Sequence, residues 1–426
     1  MRTHKGKNKG ANSSAINLSP RILILGTIDT KCAEIGFLKD RVQALGGQAV
    51  LMDVGVLGKS SQLLADFDNR AVAAAAGCSL EEVAATGDEN SAMQLMAKGA
   101  AALTLKLYYD KKIDGMLALG GTMGTDLALE VASALPLGVP KVVLSTVAFS
   151  HLLPPDRIPP DLIMALWAGG LYGLNSLCRS ALSQAAGAVV GACQAARPPQ
   201  FEKPLVGMTS LGSSALKYML VLAPELEARG YELAVFHTTG MGGRAFEALA
   251  ADGKFVAVMD FSLQELVNQM ADSCVTSGPN RLLGAGRAGV PQLIAPGATD
   301  MVDYQAWAVT PARFKGQPTH EHNRLLASVT INMDMRREVA RAIAERLAQA
   351  TGPTTLFLPV YGIEEWDRPG AALHDAQALD AFNDEMRRCV PKNVQLVELN
   401  AHINDAQFVS AVLRVFDQWR ADGIVQ

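Results

Sequence analysis

Hydrophobic positions in this chain follow two alternating periods. Short unbroken apolar runs mark strands buried on both faces. Glycine-rich breaks follow them, and then apolar residues three and four apart, the spacing of an amphipathic helix. The first run, Arg21-Ile22-Leu23-Ile24-Leu25, breaks at Gly26-Thr27-Ile28-Asp29-Thr30-Lys31. Ile35, Leu38, Val42 and Leu45 then space a helix that Gly46-Gly47 ends, and residues 49–54 form a second strand. Farther on, residues 113–119 run into Gly120-Gly121-Thr122-Met123-Gly124-Thr125, and residues 139–144 into Ser145-Thr146-Val147. Strands alternating with helices predict a parallel, doubly wound sheet.

The pattern restarts after Arg197-Pro198-Pro199-Gln200, the best candidate for a linker. A strand at 204–208 leads to Thr209-Ser210-Leu211-Gly212-Ser213-Ser214 and a helix to about Arg229. A strand at 232–236 leads to His237-Thr238-Thr239-Gly240-Met241-Gly242-Gly243-Arg244. Residues 289–294 lead to Ala295-Pro296-Gly297-Ala298-Thr299-Asp300 and echo residues 138–144 of the first half. Strands near 355–358 and 394–399, and helices near 333–350 and 405–420, complete the chain. The expected fold class is α/β, with two Rossmann-like lobes, each a mainly parallel sheet flanked by helices. The lobes cover 20–196 and 204–426, joined by a linker at 197–203. Residues 1–19 are polar and read as a disordered tail.

Composition narrows the function classes. The 426 residues carry a formal net charge of −4, which gives no footprint for a nucleic-acid partner. Six cysteines without a CxxC pair suit reduced thiols, and a cytoplasmic location is expected. Apolar runs fall short of a membrane span, and the start of the chain lacks the apolar core of a signal peptide.

The candidate chemistry lies where glycine and hydroxyl residues gather after strands. Ligands of open α/β sheets bind at the carboxyl ends of the strands. There glycine admits an anion to the backbone, and a following helix N-terminus adds a favourable dipole. Gly120, Gly121, Thr122, Gly124 and Thr125 suit a phosphate. Gly240, Gly242 and Gly243 end at Arg244, whose guanidinium pairs with phosphate through two hydrogen bonds. Gly26, Thr27, Thr30, Lys31, Ser145, Thr146, Gly297 and Asp300 occupy the same kind of position. Each loop also has a purely structural reading, as a tight strand-to-helix turn.

No Walker A sequence, kinase signature set or G-x-S-x-G elbow is present, and Gly26-Thr27-Ile28-Asp29 is not a G-x-G-x-x-G fingerprint. Asp29 is a candidate Mg²⁺ holder and Lys31 a phosphate partner; alternatively Asp29 or Thr30 caps the first helix. His237 ends a strand beside a glycine loop and is a candidate base or phosphate donor. His320 and His322 share a face if extended, which suits either a metal pair or hydrogen bonding to ligand or loop backbone. Asp300, Asp303 or His402 would have to supply further ligands to such a metal.

These motifs, with His322-Asn323 and His402-Ile403-Asn404-Asp405, together resemble one group. It is the ATP-binding domain family named after a tomato mosaic virus resistance protein, the Tm-one-like family, and the resemblance covers residues 20 to about 422. It implies two Rossmann-like subdomains with ATP and Mg²⁺ bound between them, and a homodimer. In the reading that follows, a small-molecule ligand sits toward His237, Arg244 and His322, with His237 and His322 the candidate catalytic residues and Asp29 the candidate near Mg²⁺. An enzyme that never uses ATP, acting on a phosphorylated or carboxylated metabolite, and a nucleotide-gated regulator are the alternatives. Met123 stands where this family's loop usually has glycine and would crowd a phosphate.

Overall fold

The computed structural model describes residues 19–56, 63–197, 199–212 and 217–426. The expected tail to residue 18, Pro198 of the linker and residues 213–216 of one loop lie outside the described residues. The chain divides into two compact units, Met1–Pro199 and Gln200–Gln426.

In the first unit the order is β1 (Arg21–Gly26), α1 (Ile28–Ala44), β2 (Gln48–Asp53), α2 (Asn69–Ala75), α3 (Leu80–Ala84) and α4 (Glu89–Tyr109). Then come β3 (Gly115–Gly120), α5 (Thr122–Ala134), β4 (Lys141–Ser145), β5 (Leu162–Leu166) and α6 (Ser176–Ala195). The strands form a parallel sheet of order β2-β1-β3-β4-β5. The unbroken apolar run of β1 has a direct cause. Leu23 and Leu25 join the core under one face of the sheet, and Ile22 and Ile24 join the core under the other. β3 divides in the same way, Met116 and Ala118 against Leu117 and Leu119.

The second unit opens with β6 (Leu205–Ser210), α7 (Lys217–Ala228), β7 (Glu232–His237), α8 (Met241–Ala251), β8 (Ala257–Asp260) and α9 (Gln264–Met270). Next are α10 (Gly284–Arg287), β9 (Gln292–Ile294), β10 (Met301–Gln305), β11 (Thr319–Glu321) and β12 (Leu326–Thr330). It closes with α11 (Met333–Leu347), β13 (Thr354–Pro359), α12 (Ala376–Cys389), β14 (Gln395–Leu399) and α13 (Ala406–Ala421). Its parallel sheet runs β14-β13-β9-β8-β6-β7.

Both sheets are doubly wound with the same reversal. The chain turns back between β1 and β3 in the first unit, and between β6 and β8 in the second. A crevice opens beyond the carboxyl ends of the strands at such a switch point, and ligands of these folds bind there.

One element was not anticipated. β10, β12 and β11 form a separate three-stranded antiparallel sheet. Its pairing puts Asp303 opposite Ser328 and Ser328 opposite His320, so these three side chains share a face. Val302, Tyr304, Ala327 and Val329 alternate with them and enter the hydrophobic core.

Candidate functional site

A cavity of about 220 Å³ lies at the first unit's switch point. Gly26, Thr27, Asp29, Thr30 and Lys31 line it from the end of β1, and Gly120, Gly121, Thr122, Met123 and Gly124 from the end of β3. Val54, Val56, Met93 and Leu127 give it an apolar side, and Glu89 adds a second carboxylate to the lining. Nine of the residues singled out in the sequence thus meet in one place. Glu89 and Met93 were missed as site residues; they come from α4, an element with no glycine loop to mark it.

The local geometry explains the glycines. A Cβ on Gly120 would lie 2.6 Å from the Gly124 Cα, so only glycine lets α5 start this close to β3. Gly121 is the N-cap of α5 and offers no side chain to its first turn; the Thr125 N–H makes the opening helical bond to the Gly121 carbonyl at 2.8 Å. The remaining hydroxyl candidates, Thr125, Ser145 and Thr146, do not line the cavity. Thr125 and Ser145, both buried, bond each other at 2.7 Å, and Ser145 Oγ also accepts from the Val147 N–H at 3.0 Å. The Thr146 N–H donates to the Gly120 carbonyl at 3.1 Å, outside the cavity lining.

Neither Asp29 nor Thr30 caps α1. Thr27 is its N-cap; its hydroxyl bonds the Thr30 hydroxyl at 2.7 Å rather than a helix N–H, and the Ile28 N–H donates to Asp53 at 3.0 Å. The Asp53 carboxylate also takes the Gly55 N–H at 2.9 Å, and burial raises its pKa. The Lys31 ammonium donates to the Leu171 carbonyl at 2.6 Å and lies 5.1 Å from the centre of the Tyr172 ring.

The second unit's switch point holds a buried ionic network. Thr209 donates to Asp260 at 2.7 Å across β6 and β8. Arg281, fully buried, bonds Asp260, Glu247 and Glu265. Glu265 in turn accepts the N–H of Gly240 at 2.6 Å and of Gly243 at 3.1 Å. The second glycine loop therefore meets a carboxylate of the chain itself. Gly243 leaves room for that carboxylate, which a Cβ would meet at 1.6 Å, and Gly242 packs on the His237 carbonyl, which a Cβ would meet at 1.9 Å. Burial pushes Glu265 up to about 7 against the lowering effect of Arg281. Arg244 is half-buried and its backbone N–H bonds the Gly240 carbonyl at 3.1 Å.

The remaining candidates are dispersed around this unit. His237 is exposed, and its Nδ1 accepts from the Gly212 N–H at 3.4 Å. His322 Nε2 bonds Ser328 Oγ at 2.7 Å, and Ser328 donates to Asp303. Gln264 and Asn268 add donors to Asp303 at 2.8 and 3.2 Å, and burial raises its pKa against the lowering effect of the hydrogen bonds from Ser328, Asn268 and Gln264. Gly297 packs against the Phe261 carbonyl, which a Cβ would meet at 2.0 Å. Asp300 is buried 3.7 Å from Arg336 and is pushed up to about 6 by burial.

His320 and His322 do lie together, ring centres 4.6 Å apart, and His320 lies against Trp366, ring centres 4.2 Å apart and tilted by 31°. No group of three His, Cys, Asp or Glu residues is placed to hold a metal among the described residues. His402 is committed elsewhere, to Asp367 at 2.9 Å and the Glu364 carbonyl at 2.7 Å.

Fold and site together define a two-unit, doubly wound α/β protein of Rossmann-like type. The chain belongs to the Uncharacterised protein family (UPF0261): its N-terminal domain matches residues 20–198 and its C-terminal domain residues 203–420. A UPF0261 protein of Brucella melitensis is 55% identical over 407 residues, 96% of this chain and 97% of that one. One from Clostridium tetani is 35% identical over 399 residues, 93% and 98% of the two chains. The ToMV resistance protein Tm-1 of Solanum lycopersicum is 28% identical across 95% of this chain, which spans 56% of the tomato protein. No helix among the described residues is long and apolar enough to cross a membrane.

Proposed function

We propose that the N-terminal unit binds a nucleoside phosphate, ATP with Mg²⁺, with its phosphates at the start of α5. One observation carries this reading. In this unit α2, α3, α4 and α6 are capped by the side chains of Asp68, Ser79, Asp88 and Asn175. Both α1 and α5 begin at the cavity, but the first N–H of α1 is taken by Asp53, and α5 is the one whose start has no side-chain cap. The first-turn N–H groups of a helix need an acceptor, and the helix dipole favours an anionic one. Gly121 as N-cap leaves that place to a ligand.

The other lining residues fit the same ligand. Lys31 supplies a cation for phosphate. Asp29 and Glu89 supply carboxylates, and one or two of these suffice for Mg²⁺ when phosphate oxygens and water complete its octahedron. Val54, Val56, Met93 and Leu127 suit the apolar part of a nucleoside. Mg²⁺ would add charge neutralisation between the two carboxylates and the phosphates.

Calorimetric titration of the whole chain with Mg-ATP tests the reading. Saturable binding, with a melting temperature that rises with ligand concentration, is the expected result. Absence of both at millimolar Mg-ATP would overturn it. Phosphate released during the titration makes ATP a substrate; binding without release makes it a signal.

A further inference from the structure

The cavity is smaller than a nucleotide. Its volume of about 220 Å³ falls below the roughly 300–1,000 Å³ of sites that enclose a drug-sized ligand. A triphosphate seated at the start of α5 therefore leaves part of the nucleoside outside the cavity, against whatever stands at its rim.

The segment between β5 and α6 is joined to the lining by the bond from Lys31 to the Leu171 carbonyl. It is fixed at three points. The Trp167 N–H bonds the Ser145 carbonyl at 3.0 Å, Leu171 is buried in the core at 3% exposure, and the Gly173 N–H bonds the Glu34 carboxylate at 2.8 Å. Between the last two anchors Tyr172 is 94% exposed. An aromatic ring held out in water on a well-anchored backbone forgoes the burial that usually orders such rings. The ring is also tied to the cavity. Lys31, which lines it, donates to the Leu171 carbonyl and sits 5.1 Å from the Tyr172 ring centre. One lysine side chain separates the lining from the ring, and an ammonium at that distance attracts the ring face.

Resting on the nucleotide reading above, we propose that Tyr172 is the platform on which the base of the bound nucleotide stacks. The ring faces solvent beside the phosphate-side lysine, so it meets the part of the ligand that the cavity cannot enclose. Stacking on a tyrosine is open to any base. The site is therefore specific for nucleotides over bare polyphosphates, and only weakly selective among bases.

Calorimetry of the whole chain with ATP and with inorganic tripolyphosphate, both with Mg²⁺, tests this in wild type, Tyr172→Ala and Tyr172→Phe. Tyr172→Ala is expected to weaken ATP binding roughly 5- to 150-fold, the range of a single base–aromatic stack. Tyr172→Phe recovers most of it, and tripolyphosphate binds all three proteins alike. Tyr172 is exposed, so neither variant disturbs the core. ATP binding unchanged in Tyr172→Ala overturns the platform, as does an equal loss of tripolyphosphate binding, which would place the effect on Lys31. A wild type that binds ATP no tighter than tripolyphosphate overturns the platform and leaves the phosphate cradle standing. A wild type that binds neither removes the nucleotide reading and the platform with it.

Discussion

The Glu265 carboxylate accepts the backbone N–H of Gly240 at 2.6 Å, closing from inside the chain a loop that the sequence offers as an anion site. Gly240 has φ 97°, a left-handed conformation that glycine adopts without strain, and this turns the peptide toward Glu265. At the same topological place the first unit has a cavity instead. The two units thus share strand order and differ in what fills the switch point.

Arg281 is the cation of that internal network, and its removal would leave Asp260, Glu247 and Glu265 buried without it. Arg281→Met should cost about 3–5 kcal/mol, the range for stripping one partner from a buried ion pair. Glu265→Gln keeps an acceptor oxygen for the Gly240 N–H but turns an amide toward the Arg281 Nε–H, and should cost about 1–3 kcal/mol. Urea unfolding at pH 7 measures both. An Arg281→Met protein as stable as wild type would show that the network is not what holds this loop.

Two glycines of the first loop should respond differently to alanine. At Gly120 the added methyl meets backbone, the Gly124 carbonyl carbon at 2.5 Å, which cannot move without shifting α5. At Gly124 the nearest atom is the Leu119 oxygen at 3.4 Å, an ordinary contact. Gly120→Ala is expected to cost about 1–3 kcal/mol, the usual range for overpacking, and to weaken Mg-ATP binding. Gly124→Ala should fold with near-wild-type stability. Equal melting temperatures for the two variants would contradict the close packing of α5 on β3.

The fold was legible where the signal is local. The run Ile22 to Leu25 announces a strand buried on both faces, and Ile35, Leu38 and Val42 give the helix that covers it. The role of each glycine was not legible, because it depends on distant residues. Whether Gly240 awaits a phosphate or meets Glu265 is decided by a side chain 25 positions away. The antiparallel sheet was also missed, although Met301-Val302-Asp303-Tyr304-Gln305 alternates with period two. Its strands are only three to five residues long, too short for the alternation to stand out. Tyr172 has no motif around it at all; its interest comes from exposure and from Lys31.

Asp300 and Glu364 should make stability fall on the alkaline side. Burial pushes Asp300 up to about 6 and, with the Asp300 charge adding to burial, Glu364 up to about 10. A carboxyl whose folded pKa is raised favours the folded state fully below its unfolded pKa near 4. That contribution is lost as pH rises through the folded values. Glu364→Gln mimics the neutral acid at every pH. Its melting temperature relative to wild type should therefore rise between pH 5 and pH 9. A difference that stays constant over that range would mean Glu364 is ionised in the folded chain.

His322 should act on the acid side, with the opposite sign. Ser328 spends its hydroxyl proton on Asp303, so its oxygen accepts from His322 Nε2 at 2.7 Å, and Nε2 carries the imidazole proton. Burial and the neighbouring His320 push this imidazole down to about 4 from an ordinary 6.5. A histidine with a lowered folded pKa stabilises the fold above 6.5, and that contribution is lost as pH falls from 6.5 to about 4. At 1.36 kcal/mol per pKa unit the full effect is at most about 3 kcal/mol, less for a half-buried ring. His322→Gln keeps an amide N–H for Ser328 and cannot take up the proton. Its stability at pH 7 should lie within about 1 kcal/mol of wild type, while its loss between pH 6.5 and 4.5 should be shallower. Ser328→Ala instead takes one donor from buried Asp303 and should cost about 1–3 kcal/mol already at pH 7. Urea unfolding at pH 7, 5.5 and 4.5 separates the two variants. An acid limb as steep in His322→Gln as in wild type would mean that His322 takes up its proton equally in the folded and unfolded chains, against a neutral imidazole held by Ser328.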